Sequence, residues 1–199
     1  MREYLSPGCG QKEVAHVTTL RDMPSPVPKS PTPHYRITVV CLGNICRSPI
    51  GEAVLRRQVA EAGLDHLVTV DSAGTGDWHI GHDADPRALA TLSDHGYALT
   101  HVARQINPSW FEGLDLILAM DADNYADLQV LLHESGADVA LQMMRSFDPD
   151  LCHLTMPDPA LNVPDPYTGD AADFIEVLQM VERAGEGLVA NLPERLRQR

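Results

Sequence analysis

The chain has 199 residues, of which 44% are hydrophobic and 22% charged, and its formal net charge is −13. This length favours a single domain that buries a sizeable core without disulfides. The acidic net charge argues against general nucleic-acid binding, which needs clustered Lys and Arg. No apolar run approaches the roughly 18 residues of a membrane span. The four cysteines form no C-x-x-C pair, which argues against a zinc ribbon or a thioredoxin-type site.

The N-terminal segment, residues 1–33, has the composition of a tail. Five of the ten residues in the stretch 24–33 are prolines, which lack the backbone donors that a sheet or a helix interior needs. We therefore expect a disordered extension over residues 1–33 and a folded domain over residues 34–199. The extension is interpreted as a spacer, or as an upstream segment if translation begins at Met23, in preference to a proline-rich docking ligand. The start of the chain lacks a secretory signal, so we expect a cytoplasmic protein, with export by a route that needs no signal peptide left open.

Strand and helix patterns alternate after the tail. Runs rich in β-branched and apolar residues predict four strands, at residues 35–40, 67–70, 114–120 and 139–143. Start signals and good helix formers predict four helices, at residues 48–59, 86–95 and about 122–134, and from about 171 onward. The last helix carries an apolar stripe at helical spacing, made of Phe174, Val177, Leu178, Val181 and Leu188. Between the last strand and this helix, residues 145–170 have no clear periodicity, as is typical of a functional loop.

This alternation predicts the fold class. Strands joined through helices form parallel pairs, and parallel sheets are covered on both faces. We therefore expect an α/β fold, a three-layer sandwich with a central four-stranded parallel sheet and helices on both faces.

The segment between the first predicted strand and the first predicted helix carries the strongest chemical signal, with the sequence CLGNICRSP from Cys41 to Pro49. Ligands of open α/β sheets bind at the carboxyl ends of strands, and a helix N-terminus offers unpaired N–H groups and a positive dipole end. A loop that wraps there makes a cradle of donors for an anion. A cysteine in such a cradle is favoured as the nucleophilic thiolate, which makes Cys41 the candidate nucleophile.

Other residues of this loop fit the same chemistry. The guanidinium of Arg47 presents parallel donors that match two phosphate oxygens. Gly43 permits backbone angles that a Cβ would block, and Asn44 tolerates the left-handed region. Ser48 is placed to donate a hydrogen bond to the Cys41 sulfur.

Through these residues the sequence resembles the low-molecular-weight protein tyrosine phosphatases, most of all their bacterial and actinobacterial members. The likeness spans about residues 34–199, and its motifs are residues 41–49, 72–75, 101–105, 120–121 and 165–167. The resemblance implies hydrolysis of phosphotyrosine in protein substrates through a phosphocysteine intermediate on Cys41, by a monomer that needs neither a metal nor a cofactor. Among three Asp-Pro pairs it favours Asp165 as the general acid over Asp148 and Asp158.

The resemblance also assigns the surroundings of the substrate. Eight residues are expected to line the substrate site: Leu42, Gly43, Asn44, Ile45, Cys46, Ser48, Trp78 and Tyr167. Trp78 and Tyr167 would form aromatic walls, although a Trp buried in the core is the alternative. Ser72 and His101, with Asn44, would hold the loop in shape. Cys46 would form a reversible disulfide with Cys41, or would simply be a packed thiol.

Four alternative interpretations have weaker support. A thiol-dependent arsenate reductase would need a further nearby cysteine pair, and no cysteine lies between Cys46 and Cys152. A phosphoarginine phosphatase is disfavoured because such members carry a small hydroxyl residue where Ile45 stands. A non-catalytic phosphotyrosine-binding module would need neither a nucleophile nor an acid. Two histidines and an aspartate at residues 79–83 suggest a metal site less well than a solvated loop.

Overall fold

A computed structural model describes residues 34–198 of the chain. The extension predicted for residues 1–33 lies outside the described residues. The four strands are β1 (Tyr35–Cys41), β2 (Val68–Gly74), β3 (Leu116–Ala119) and β4 (Ala140–Met143). The four α-helices are α1 (Arg47–Glu61), α2 (Pro86–Asp94), α3 (Ala122–Ser135) and α4 (Ala171–Arg197). Each predicted strand and helix is therefore present.

The strands form one parallel sheet in the order β2-β1-β3-β4. Strand β1 lies between β2 and β3. The chain leaves β1 toward β2 and, after β2, crosses back to β3 on the other side, so the strand order reverses between β1 and β3. Such a switch point opens a crevice at the carboxyl edge of an α/β sheet. Cys41, the last residue of β1, lies at this edge opposite Gly74, the last residue of β2.

Hydrophobic side chains cover both faces of the sheet. Successive residues of β1 point to opposite faces, so Val39 packs in one core and Val40 in the other. The first core holds α1 and α4, including every residue of the stripe predicted for α4, all of them fully buried. The second core lies under α3 and a short 3-10 turn, Pro108–Gly113. The predicted three-layer α/β sandwich with a four-stranded parallel sheet is confirmed.

The predicted end of β2 is wrong by four residues. The apolar run ends at Val70, but the strand continues to Gly74 through the polar residues Asp71 and Ser72. Both have partners: Thr38 Oγ1 donates to Asp71 at 2.6 Å, and Ser72 is hydrogen-bonded in the interior. Because these bonds satisfy the polar groups, the strand tolerates them.

The loop predicted over residues 145–170 is more ordered than its composition suggests. It contains most of one 3-10 turn, Met144–Phe147, and the whole of another, Pro159–Leu161. Asp170 then caps α4 by accepting from Ala172 N at 2.8 Å, in a reciprocal capping box with Asp173. No helix among residues 34–198 has the length and apolar character to cross a bilayer.

Candidate active site

The loop between β1 and α1 turns sharply around Asn44. This residue has a φ of 56°, and it is the one non-glycine residue with positive φ in the described part of the chain. Asparagine adopts this left-handed region more readily than most residues. The turn brings the backbone back toward the end of β1, so that Asn44 N donates to the Cys41 sulfur at 3.3 Å.

The N-terminus of α1 is left open toward this loop. Cys46 is the N-cap residue, and no side chain makes a capping hydrogen bond there. The N–H groups of Gly43, Ile45 and Cys46 likewise have no acceptor among residues 34–198. Unpaired donors at a positive helix end form a binding site for an anion.

The sulfur of Cys41 lies buried in this cradle. Its second neighbour is Ser48 Oγ, at 3.0 Å. Ser48 Oγ also receives a hydrogen bond from Asn44 Nδ2 at 2.9 Å and lies 3.2 Å from Ala73 O. Since the hydroxyl has a single proton, a negatively charged sulfur would draw it away from the Ala73 carbonyl.

The side chain of Asn44 is the centre of a buried hydrogen-bond network. Its Nδ2 donates to both Ser48 and Ser72, each at 2.9 Å, and its Oδ1 accepts from Arg104 N at 2.9 Å. Its carbonyl oxygen lies 2.7 Å from His101 Nε2. These bonds fix Asn44 in its left-handed conformation from three sides, and they use both residues, Ser72 and His101, that were predicted to support the loop.

Arg47 lies in the first turn of α1 and is 3% exposed. Its Nη1 is paired with Asp121 and donates to Val163 O at 3.2 Å, while its Nη2 donates to Asp165 at 2.7 Å. The pKa of Arg47 is raised: burial lowers it, but the charges of Cys41, Asp165 and Asp121 outweigh that effect. Its Nε is buried and has no partner in the described part of the chain, so one guanidinium donor stays available.

A single pocket opens above the Cys41 sulfur. It is lined by Cys41, Leu42, Gly43, Ile45, Cys46, Arg47, Trp78, His79, Asp165 and Tyr167. Trp78 is 68% exposed and Tyr167 is 51% exposed, so both stand at the mouth of the pocket. The alternative of a Trp78 buried in the core is therefore wrong.

Asp165 is distinguished from the other two Asp-Pro aspartates by its position. Asp148 is buried and paired with Arg183, and Asp158 caps a 3-10 turn by accepting from Ala160 N at 2.8 Å. Asp165 alone of the three lines the pocket.

Comparison with known proteins identifies the family of the chain. Residues 36–198 match the family model described as low molecular weight phosphotyrosine protein phosphatase. The chain belongs to this family.

Individual relatives agree with the family match. A low molecular weight protein-tyrosine-phosphatase of Streptomyces coelicolor is 49% identical over 162 residues, which cover 81% of this chain and 96% of the relative. A protein tyrosine phosphatase of Entamoeba histolytica has a crystal structure that matches with a TM-score of 0.70 and 34% identity, over 80% of this chain and 97% of that one. An arginine phosphatase of Drosophila matches with a TM-score of 0.71 and 26% identity, over 78% and 96% of the two chains.

The sequence analysis missed two charged residues that support the loop between β1 and α1, Glu52 and Arg104. Ser72 Oγ donates to Glu52 at 2.6 Å, and Glu52 is buried on α1. Arg104 donates from Nε to Ser72 O at 2.9 Å, and its guanidinium packs over Trp110. A charged residue inside the apolar face of α1 was the available signal for Glu52, because an acidic side chain is rarely buried without partners.

His79 was considered in the sequence as part of a metal site or a solvated loop, but it lies at the pocket above Cys41. Its ring lies 6.0 Å from that of His82 and 6.4 Å from that of Tyr167, and it lines the phosphatase pocket. No group of three potential metal ligands occurs among the residues that the structure describes. A Cβ on Gly43 would lie 3.0 Å from His79 Cδ2, so glycine lets the histidine pack directly on the loop.

Cys46 differs from Cys41 in its surroundings. Burial raises the pKa of Cys46 to about 12, with further contributions from the charges of Asp85, Cys41 and Asp165. Cys46 is therefore a neutral thiol near pH 7, and both it and Cys41 are unpaired in the structure.

Proposed function

We propose that the chain hydrolyses phosphotyrosine in proteins, with Cys41 as nucleophile, Arg47 as the phosphate-binding cation and Asp165 as general acid and base. Membership of the family makes the chain a protein-tyrosine-phosphatase, a phosphoric monoester hydrolase. The observation that carries the residue assignment is the Cys41 sulfur, buried at the open N-terminus of α1 in one pocket with Arg47 and Asp165.

In the first step, the Cys41 thiolate attacks phosphorus while the bond from phosphorus to the tyrosyl oxygen breaks. The electron pair of that bond goes to the oxygen, and Asp165, as a carboxylic acid, donates its proton there. The products of this step are a phosphocysteine, a neutral tyrosine and the Asp165 carboxylate.

In the second step, Asp165 accepts a proton from water as the water oxygen attacks phosphorus. The phosphorus–sulfur bond breaks, and its electron pair returns to sulfur. Hydrogen bonds from Ser48 and Asn44 N stabilise the departing thiolate, which makes it a better leaving group. Inorganic phosphate leaves, and Asp165 carries a proton for the next cycle.

The charge that develops on the phosphoryl oxygens is met by the loop. Donors fixed in advance stabilise such charge more strongly than water does, because they need not reorient during the reaction. The N–H groups around residues 43–46 and the guanidinium of Arg47 are donors of this kind. The network around Asn44 keeps the loop in this shape, so it need not rearrange during reaction.

Preference for phosphotyrosine is proposed to come from the pocket walls. Trp78 and Tyr167 at the mouth, with Leu42 and Ile45 of the loop, offer apolar surface to an aromatic ring. Phosphoserine has a shorter side chain and no ring, so it cannot make the same contacts with these walls. The apolar Ile45 favours an aryl group over the polar guanidine of phosphoarginine.

The test compares three variants on aryl phosphates whose phenols differ in acidity. Cys41→Ser should abolish turnover and keep competitive binding of phosphate measurable. Asp165→Asn should lower kcat by about 10²- to 10⁴-fold for poor leaving groups and much less for good ones. Asp158→Asn is the matched control, because it also precedes proline but lies outside the pocket, and it should behave as wild type.

Two results would contradict the assignment. One is a leaving-group dependence in Asp158→Asn that Asp165→Asn lacks, and the other is turnover by Cys41→Ser. Phosphate release from phosphotyrosine, phosphoserine and phosphoarginine peptides, measured side by side, tests the substrate class. Faster release from phosphoarginine than from phosphotyrosine would refute the proposed preference.

A further inference from the structure

The segment that carries Asp165 and Tyr167 is connected to α2 by Arg87. This arginine lies in the first turn of α2, and its side chain crosses to the segment before α4. Its Nη2 donates to Tyr167 O at 2.9 Å, and its Nη1 donates to Gly169 O at 3.0 Å. Arg87 itself does not line the pocket.

The guanidinium is held in place from its other side by Asp85. Asp85 Oδ1 accepts from Arg87 Nε at 3.0 Å, and Asp85 Oδ2 accepts from Arg87 Nη2 at 2.8 Å. The guanidinium also stacks on the ring of Phe174, with Cζ 4.7 Å from the ring centroid. Because Phe174 is fully buried in the core, this contact fixes the guanidinium plane against a rigid surface.

Asp85 extends the connection to the phosphate-binding loop. Its backbone N–H donates to Ile45 O at 2.8 Å. A continuous path of hydrogen bonds therefore runs from Ile45, through Asp85 and Arg87, to the carbonyl groups of Tyr167 and Gly169. The path joins the loop that holds the nucleophile to the segment that holds the acid.

We infer that Arg87 is a positioning residue, which sets the Asp165 carboxyl and the Tyr167 ring at the correct height over the Cys41 sulfur. The inference rests on the proposed function, since it assigns Asp165 as the acid. Arg87 acts on two backbone carbonyls, one on each side of Thr168, so it fixes the main chain close to Asp165 without touching the substrate. A fork of two donors is needed for this, which a lysine does not provide.

The inference predicts a specific kinetic signature for Arg87→Met. Its kcat should fall about 10- to 100-fold on aryl phosphates with poor leaving groups, because a misplaced acid no longer reaches the departing oxygen. On good leaving groups kcat should change less than threefold. Inhibition by inorganic phosphate should stay within threefold of wild type, since the loop around Cys41 keeps its own network.

A double-mutant cycle separates this role from a structural one. If Arg87 acts through Asp165, then Arg87→Met should add less than twofold to the loss already present in Asp165→Asn. Arg87→Lys, which keeps the charge but loses the fork, should fall between wild type and Arg87→Met. Independent, multiplying losses in the double variant would overturn the inference.

Arg57 on α1 provides a matched control. It too has an acidic partner nearby in the sequence, Glu61 at 2.8 Å, and it too stacks on an aromatic ring, that of Tyr97 at 5.0 Å. Arg57→Met should keep wild-type kinetics on every leaving group. If Arg87→Met matches Arg57→Met while Asp165→Asn shows its leaving-group dependence, the inference is wrong and the proposed function stands. If Asp165→Asn shows no such dependence, the proposed function itself fails.

Discussion

Gly74 offers a sharp test of how closely the phosphate-binding loop is packed. It ends β2 opposite Cys41, and a Cβ built there would lie 2.7 Å from Leu42 O and 3.0 Å from Asn44 N. Ordinary van der Waals contact begins at 3.4 Å, so the carbonyl would have to move by about 0.7 Å. The atoms in the way are backbone atoms of the loop, which no rotamer change can clear.

We expect Gly74→Ala to damage activity more than stability. Overpacking of this kind costs about 1–3 kcal/mol of the free energy of unfolding. A displacement approaching 1 Å at the reacting groups costs up to about 10²-fold, so kcat/KM for an aryl phosphate should fall about 10- to 100-fold. Phosphate should also inhibit more weakly, because the donors of the cradle would be displaced.

The matched control is Gly113→Ala. Gly113 ends the 3-10 turn before β3, and a Cβ there would meet only Arg36 Nη1, at 3.5 Å. Steady-state kinetics and urea denaturation should leave this variant close to wild type. Activity of Gly74→Ala within twofold of wild type would refute the reasoning, because the loop would then tolerate a contact that the structure excludes.

Further predictions concern the buried polar groups of the site. Ser72→Ala should lower the free energy of unfolding by about 1–3 kcal/mol, because Asn44 and Glu52 each lose a buried partner. Urea denaturation measures this loss, and a loss below roughly 0.3 kcal/mol would contradict the prediction. Iodoacetamide at pH 7.5 should label the exposed Cys152 and leave Cys46 unmodified until the protein unfolds, as peptide mass spectrometry would show, because the pKa of Cys46 is raised to about 12. The same raised pKa means that above about pH 9 the unfolded chain releases a proton that the folded protein keeps, so stability should fall as pH rises from 8 to 10. Cys46→Ala should lack this part of the fall, and an identical pH dependence in both proteins would count against it.

The regular elements and the loop at Cys41 were predictable because both depend on local sequence. Apolar runs fix the strands, and the helix start after Cys46 follows from Ser48 and Pro49. The continuation of β2 through Asp71 was not predictable in the same way. Its polar groups are satisfied by partners on other elements, and no local pattern shows those partners.

Contacts between distant parts of the chain account for what the sequence left out. Arg47 meets Asp121 and Asp165, which lie 74 and 118 residues further along the chain. Arg87 likewise reaches Gly169, 82 residues away. Each residue has an ordinary local setting, so only the family resemblance brings Asp165 to the site of Arg47. Nothing in the sequence pairs Arg47 with Asp121 or Arg87 with Gly169. The exposure of Trp78 belongs to the same class, since only the folded chain decides whether an aromatic ring is covered.

The bare start of α1 has a thermodynamic consequence. A side chain often satisfies the first N–H groups of a helix, whereas no side chain caps α1, and its N–H groups are proposed to bind an oxyanion. A bound anion would then replace the cap, and its binding energy would become part of the folding equilibrium. At a concentration 100 times its Kd, such a ligand raises the free energy of unfolding by about 2.7 kcal/mol. Inorganic phosphate, the end product of turnover, should therefore raise the melting temperature of the enzyme that releases it.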